Sequence, residues 1–228
     1  MKKVLAIIPA RKNSKGLKNK NIININGKPL IYYTITAAKK SKYITDIVGS
    51  TDSKEIAAIF KKNNINIPFN RPKSLSGDHS NIVDTLIFTL KKIEKIYETK
   101  YDYICLLQPT SPLREEKEID KAIKKIIRTN SDSLISLCKL DEPHPYKLLE
   151  IKNKKIVFNA KRKKYINNRQ QMPNFYMPSG NLYITKRNSL LEEKSIFGKK
   201  ITYTIIKNSN YLNINNSTDL LIAKEKLR

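Results

Sequence analysis

The chain has 228 residues, of which 45 are Lys or Arg and 20 are Asp or Glu, giving a formal net charge of +25. A charge this large raises nucleic acid or a membrane surface as partners, but the cations are mostly lysines spread along the whole chain. They read as solvated surface, with a remainder able to attract anionic substrates. Two histidines and two cysteines disfavour a His/Cys zinc site and a Ser-His-Asp hydrolase.

The start, Met-Lys-Lys-Val-Leu-Ala-Ile-Ile, imitates a secretory signal, but its apolar stretch meets Pro9 and Arg11 before reaching the ~7–15 residues such a segment needs. No run approaches the ~20 apolar residues of a membrane helix. Cys105 and Cys138 sit in apolar runs and read as buried, reduced thiols. A cytoplasmic chain without membrane insertion is expected.

Val4–Ile8 reads as a first buried strand. Pro29 suits the first turn of a helix running to about Lys40. Ile44–Ser50 reads as a second strand, with Thr51-Asp52-Ser53 capping a helix to about Asn63. Ile65–Pro68 reads as a short strand. Ile82, Leu86, Leu90, Ile93 and Tyr97 recur at helical spacing across residues 80–97. Tyr103–Leu107 is the most apolar strand, Glu115–Thr129 a charged amphipathic helix, and Leu134–Leu137 a further strand. The alternation breaks over 141–180, which holds the basic run Lys161 to Lys164, scattered aromatics and too few apolar residues for a core of its own. This stretch reads as an insertion suited to lie on a second subunit. Strands resume at Asn181–Thr185 and Ile201–Ile206, and a final helix spans about Ser217 to Leu227. The alternation predicts one α/β domain over 1–228, Rossmann-like, with a mostly parallel sheet, helices on both faces and a small dimerisation insertion. It offers neither an aromatic platform nor a groove-reading helix, so no nucleic-acid partner is expected.

In such sheets ligands bind beyond the carboxyl ends of the strands. Four segments follow strands: the loop 11–21, Arg71 with Asp78, Gln108 to Arg114, and 207–219. The first loop holds Arg11, Lys12, Lys15, Gly16, Lys18 and Lys20. Backbone N–H groups at a glycine, ringed by cations, suit a polyphosphate. The loop has a single glycine, so it is neither a Walker A nor a GxGxxG loop.

The spacing I-P-A-R-x-x-S-K-G-L-x-x-K-N in this loop resembles the signature of the CMP-sialic acid synthetases, the acylneuraminate cytidylyltransferases. Ser50-Thr51-Asp52 and Asn70-Arg71-Pro72 followed by Asp78 are similar to further landmarks of that family. So are Arg169-Gln170-Gln171, Pro178-Ser179-Gly180 and Ser195-Ile196-Phe197-Gly198. Leu106-Leu107-Gln108-Pro109-Thr110-Ser111-Pro112-Leu113-Arg114 matches a family run at every position. The resemblance covers nearly the whole chain. It implies a fold of the nucleotide-diphospho-sugar transferase type, and a reaction joining CTP to a sialic-type sugar acid with release of pyrophosphate. It implies that Arg11 and Lys20 contact the triphosphate, Asn21 and Arg71 hold the cytosine and its ribose end, and Ser80 lies near the nucleotide. Gln108 would orient the sugar acid, completing the catalytic group with Arg11 and Lys20. Arg169 and Gln170 would approach the sugar carboxylate across a homodimer interface.

Some residues carry a plainer reading beside this one. Lys12 and Lys18 read as surface charge, and Tyr32 and Tyr33 as packing. Asp52 is either a helix cap or a ligand, and Arg114 either belongs to the site or pairs with Glu115 or Glu118. The family closes with D-I-D-T-x-x-D-L, whose first two aspartates hold a metal. Here the run is Asn213-Ile214-Asn215-Asn216-Ser217-Thr218-Asp219-Leu220. Residues 213 and 215 face the same way in an extended segment, so both substitutions fall on one metal position. An amide offers one neutral oxygen where Mg²⁺ prefers carboxylates and phosphates. Three outcomes stay open: Mg²⁺ partly carried by CTP, a slow or metal-hungry enzyme, or a non-catalytic nucleotide-binding homologue. A CMP-Kdo-type synthetase is the neighbouring enzyme alternative, disfavoured by Q-P-T-S-P where a Q-G-D-x-P-like run is expected.

Overall fold

The structure is a computed structural model that describes residues 2–13, 16–158, 170 and 172–228. In chain order the strands are β1 (Val4–Pro9), β2 (Asn24–Ile25), β3 (Lys28–Pro29), β4 (Asp46–Ser50), β5 (Tyr103–Leu106), β6 (Ser133–Leu140), β7 (Leu149–Lys152), β8 (Lys155–Phe158), β9 (Phe175–Lys186) and β10 (Ile201–Ile205). The helices are α1 (Leu30–Lys40), α2 (Lys54–Lys62), α3 (Ile82–Ile96), α4 (Glu116–Thr129), α5 (Arg187–Glu193) and α6 (Ser217–Lys226). Among the described residues six strands form one sheet in the order β10-β6-β9-β5-β1-β4. All neighbours are parallel except β9, which runs antiparallel to both β5 and β6.

β1 is buried on both faces, as a central parallel strand must be. Val4, Ala6 and Ile8 join Cys105 and Leu107 against α1, α2 and α4. Leu5 and Ile7 join Ile104 and Leu106 against α3 and α5. A smaller cluster of Ile25, Leu30, Leu212, Ile214 and Ala223 ties α6 and the segment before it to the start of α1. Cys105 and Cys138 are buried free thiols. No helix among the described residues is long and apolar enough to cross a membrane.

Several elements differ from the sequence reading. Pro29 lies just outside α1 as its N-cap and pairs in the β2–β3 ribbon. The strand expected at Ile65–Pro68 is a single bridge, Val48 to Asn66, beside β4. Ser53, not Asp52, caps α2, its Oγ accepting from the Ile56 N–H. α5 had no signal beyond seven residues of mixed polarity. The largest difference is β9. Its first residues, Phe175 to Pro178, pair with β6 from Leu140 back to Leu137, so the central sheet reaches into the stretch read as insertion. Alternating exposure over Phe175–Pro178 hid this pairing. Among the described residues outside the sheet, the stretch forms the β7–β8 hairpin.

Gly49 on β4 shows how tightly one edge is packed. A Cβ there would lie 2.6 Å from two Phe60 ring carbons and 2.8 Å from Cγ2 of Ile67. Gly49→Ala is expected to cost about 1–3 kcal/mol, read as a lower urea midpoint. Adding Phe60→Leu should return part of the loss, because it removes the ring carbons that block the methyl.

Candidate active site

β1, β4 and β5 are parallel neighbours that end on the same side, and the chain leaves β1 and β5 into one cleft of about 480 Å³. Arg11, Gly16, Lys20 and Asn21 enter from the loop after β1, Arg71 and Asp78 from the segment before α3, and Gln108 from the turn after β5. Asn215 closes the rim before α6. A wider open depression of about 1030 Å³ on the flank of α1 and α4 is lined chiefly by lysines. It holds none of the motif residues.

Arg11 sits at the mouth, where its Nη1 donates to the Gly77 carbonyl at 2.8 Å and pairs with Asp78 at 2.9 Å. Asn21 is buried, and its Nδ2 donates to the Arg11 carbonyl at 3.0 Å, so it fixes the loop that carries Arg11. Lys20 donates through Nζ to the Ile214 carbonyl at 2.9 Å and to Oδ1 of Asn215 at 3.4 Å. Burial and the neighbouring Arg11 hold its pKa below the usual lysine range, partly offset by Asp219. Arg71 is buried, its Nε donating to Ser76 at 3.1 Å. Burial lowers its pKa, and Asp52 opposes that. Its Nη2 finds no hydrogen-bond acceptor among the described residues. Ser80 lines the cleft but spends its hydroxyl on the Ser74 carbonyl at 3.0 Å.

Asp52 is neither helix cap nor free ligand. Its Oδ1 accepts the Lys12 N–H at 2.9 Å and lies 3.6 Å from Nη2 of Arg71, so it joins the first loop to Arg71. Lys12 and Lys18 are exposed, and the Tyr33 hydroxyl donates to the Ile25 carbonyl as a packing contact.

Arg114 corrects the sequence reading most. It does not pair with Glu115 or Glu118. It is 5% exposed, and its guanidinium donates to the Asn181 carbonyl at 2.6 Å, to Thr34 Oγ1 at 2.9 Å and to the Gln108 carbonyl at 2.8 Å. Burial pulls its pKa down to about 10. Arg114 is thus a positioning residue that holds the backbone of Gln108 at the cleft.

At the inner end, Gly180 has φ +71°, and a Cβ on it would lie 3.5 Å from both Gln108 Oε1 and Asn213 Nδ2. The two amides flank this glycine, and Oδ1 of Asn213 has no hydrogen-bond donor among the described residues. Residues 212–215 alternate: Leu212 and Ile214 enter the apolar cluster, while Asn213 is half-buried and Asn215 exposed. Asp219 accepts the N–H groups of Asn215 at 2.7 Å and Asn216 at 3.1 Å, completing a capping box with Asn216. Gln170 is exposed and lies beyond the hairpin. Arg169 lies outside the described residues.

A mixed sheet with three cations and a glutamine at its strand ends is the architecture of a nucleotide-sugar transferase. The sequence profile of the family described as Cytidylyltransferase matches residues 5–221. Over 224 residues the chain is 32% identical to the post-translational flagellin modification protein B of Campylobacter coli, covering 98% of this chain and 94% of that one. Identity, length and coverage are the same for the CMP-N,N'-diacetyllegionaminic acid synthase of Campylobacter jejuni. A solved CMP:2-keto-3-deoxy-manno-octonic acid synthetase complexed with CTP superposes with a TM-score of 0.73, covering 99% of this chain and 98% of that one. Its 14% identity shows the fold alone. The chain belongs to the cytidylyltransferase family, within the group of CMP-nonulosonate synthetases.

Arg114→Met removes three charged hydrogen bonds and strands two carbonyls and a hydroxyl. It is expected to cost about 3–5 kcal/mol in urea unfolding. Arg114→Lys should recover little, because one ammonium cannot span three divergent acceptors. A loss below about 1 kcal/mol in either variant would remove the positioning role.

Proposed function

We propose that this chain transfers CMP from CTP to the anomeric hydroxyl of a nonulosonic acid and releases pyrophosphate. The observation that carries this is the convergence of Arg11, Lys20 and Arg71 with Gln108 in one cleft of a cytidylyltransferase-family chain. The hydroxyl oxygen attacks the α-phosphorus, and the bond to the β-phosphate oxygen breaks. Catalysis is then positioning plus stabilisation of charge on the departing pyrophosphate. Arg11 and Lys20 supply positive charge along the triphosphate, and Lys20 is held ready by Ile214 and Asn215. Asn21, Arg71 and Ser80 line the nucleotide side. Gln108, its backbone fixed by Arg114, faces the sugar acid. CTP as cosubstrate and two unpaired cysteines favour the cytoplasm.

Mg²⁺ is the expected ion, and its chemistry would be to neutralise phosphate oxygens. The donors at Asn213 and Asn215 are neutral amides, and no group of three or more His, Cys, Asp or Glu suited to a metal occurs among the described residues. This set does not fit a protein-held Mg²⁺.

The test is pyrophosphate release with CTP and Mg²⁺ against a panel of nonulosonic acids: N-acetylneuraminic, legionaminic and pseudaminic acid, with Kdo as the eight-carbon control. Release with a nine-carbon acid and CTP, but not with ATP, GTP or UTP, is expected. CTP binding without release on any acid would support the second reading, a non-catalytic homologue, which the two amides favour. Arg11→Ala should cut turnover at least about 100-fold. Its melting temperature should barely move, because the Arg11–Asp78 pair is part-exposed at the mouth.

A homodimer completes this reading. Leu149, Ile151, Ile156 and Val157 on the hairpin are 53%, 78%, 68% and 41% exposed. By the hairpin register Leu149, Ile151 and Ile156 share one face and Val157 lies on the other, and such an exposed apolar face suits an interface. Across it, Arg169 and Gln170 would reach the sugar carboxylate. Ile151→Asp with Ile156→Asp should turn a dimer into a monomer by light scattering. A natural chain that is already monomeric and fully active would remove the interface role.

A further inference from the structure

We propose that the resting protein holds no divalent cation of its own, and that the ion enters the cleft only as the metal complex of the triphosphate. This inference rests on the reading of the cleft as a CTP site. The argument is one of donors and charge around Asn213 and Asn215. A hard divalent ion asks for several oxygens, preferably charged. The oxygens offered here are the Ile214 carbonyl, Oδ1 of Asn215 and Oδ1 of Asn213, all neutral. Two of the three already accept from the Lys20 ammonium, at 2.9 Å and 3.4 Å. An ion drawn to them would have to displace a positive charge or sit against it, and like charges at such distances repel strongly where water is scarce. Lys20 forms no ion pair with a carboxylate among the described residues that could relieve this.

The nearby carboxylates are committed elsewhere. Asp78 pairs with Arg11, and Asp52 with the Lys12 N–H and Arg71. Asp219 holds the N–H groups of Asn215 and Asn216. The cleft therefore gathers Arg11, Lys20 and the buried Arg71 with too little negative charge for a free dication. A triphosphate inverts the sign. Its negative charge exceeds that of its own ion, so the complex is still drawn to the cations, and it supplies the anionic oxygens the chain lacks. Oδ1 of Asn213 is buried with no donor among the described residues, so it is a poor anchor for a free ion entering from the cleft.

The experiment uses the full natural chain and Mn²⁺ as probe, followed by electron paramagnetic resonance, in which bound ion leaves the free six-line signal. Without nucleotide, the signal should stay at its protein-free height through a millimolar titration. With CTP added, the spectrum should change beyond that of Mn²⁺ and CTP alone. Asn213→Asp with Asn215→Asp should bind Mn²⁺ without nucleotide at least about tenfold more tightly than the natural chain. Its fold is checked by circular dichroism. The natural-chain measurement decides the matter even if that variant does not fold. Saturable one-site Mn²⁺ binding to the nucleotide-free natural chain, lost in Asn213→Ala, would overturn the proposal while CTP binding stays intact. Calorimetry that finds no CTP binding, with Mn²⁺ or with chelator, would overturn the cytidylyltransferase reading and the proposal with it.

Discussion

Arg114 takes a positive charge into the interior, and the cleft is arranged around the three oxygens that receive it. One belongs to α1 (Thr34), one to the turn after β5 (Gln108) and one to β9 (Asn181). A buried guanidinium is costly unless every donor direction is met, so these three elements cannot drift apart without exposing an unmet charge. That requirement explains how an antiparallel strand is built into an otherwise parallel sheet beside the catalytic turn. β9 brings the Asn181 carbonyl to Arg114, and the preceding Gly180 then stands between Gln108 and Asn213. Interior electrostatics thereby fix the backbone on which Gln108 and Asn213 approach each other.

The opposite wall follows a second electrostatic rule. Arg11, Lys20 and Arg71 converge on one cleft, and their mutual repulsion is moderated by two aspartates. Asp78 restrains Arg11 from the mouth, and Asp52 ties Arg71 to the first loop. The lowered pKa values of Lys20 and Arg71 record the residual strain of burial. A polyanion would relieve it, which is the preorganisation expected of a site that stabilises a departing pyrophosphate.

What was legible in the sequence divides along physical lines. The layered α/β core was, because β1, β5 and helices α1 to α4 signal burial through local periodicity. The cleft residues after strands were, because strand ends in such sheets are where ligands collect. The pairing of Phe175–Pro178 with β6 was not, since partner choice between strands is a long-range property and this stretch alternates in exposure. Arg114 was left between two readings because an arginine followed by Glu115 looks like a surface ion pair, and no local pattern reports three backbone and hydroxyl acceptors on distant segments. Asp52 failed similarly: Ser-Thr-Asp-Ser offers several caps, and only the fold assigns the cap to Ser53 and leaves Asp52 to the first loop. The insertion was bounded too generously, because low apolar content marks exposure without distinguishing a protruding hairpin from the exposed end of a long strand.

The closing segment shows why its substitutions change charge without changing shape. Most of the contacts that fix its backbone do not involve the side chains at 213 and 215; the exception is the Asn215 amide, which donates to the Asn213 carbonyl at 3.3 Å. The Ile214 N–H donates to the Thr110 carbonyl at 2.9 Å, and the Ile214 side chain is fully buried among Ile25, Leu30 and Leu212. The Asp219 carboxylate gathers the next two N–H groups. Gly16 packs so closely on the Asn215 carbonyl that a Cβ there would collide with it, which locks the segment to the first loop. Asparagine is nearly isosteric with aspartate, so either residue fits this frame. Under the proposed function, removing two negative charges from this rim would shift the burden of neutralising a triphosphate onto Arg11 and Lys20. Lys20 is the pivot of that shift. Beside a carboxylate at 215 its ammonium would be partly spent on the protein, whereas beside an amide its charge remains for the ligand.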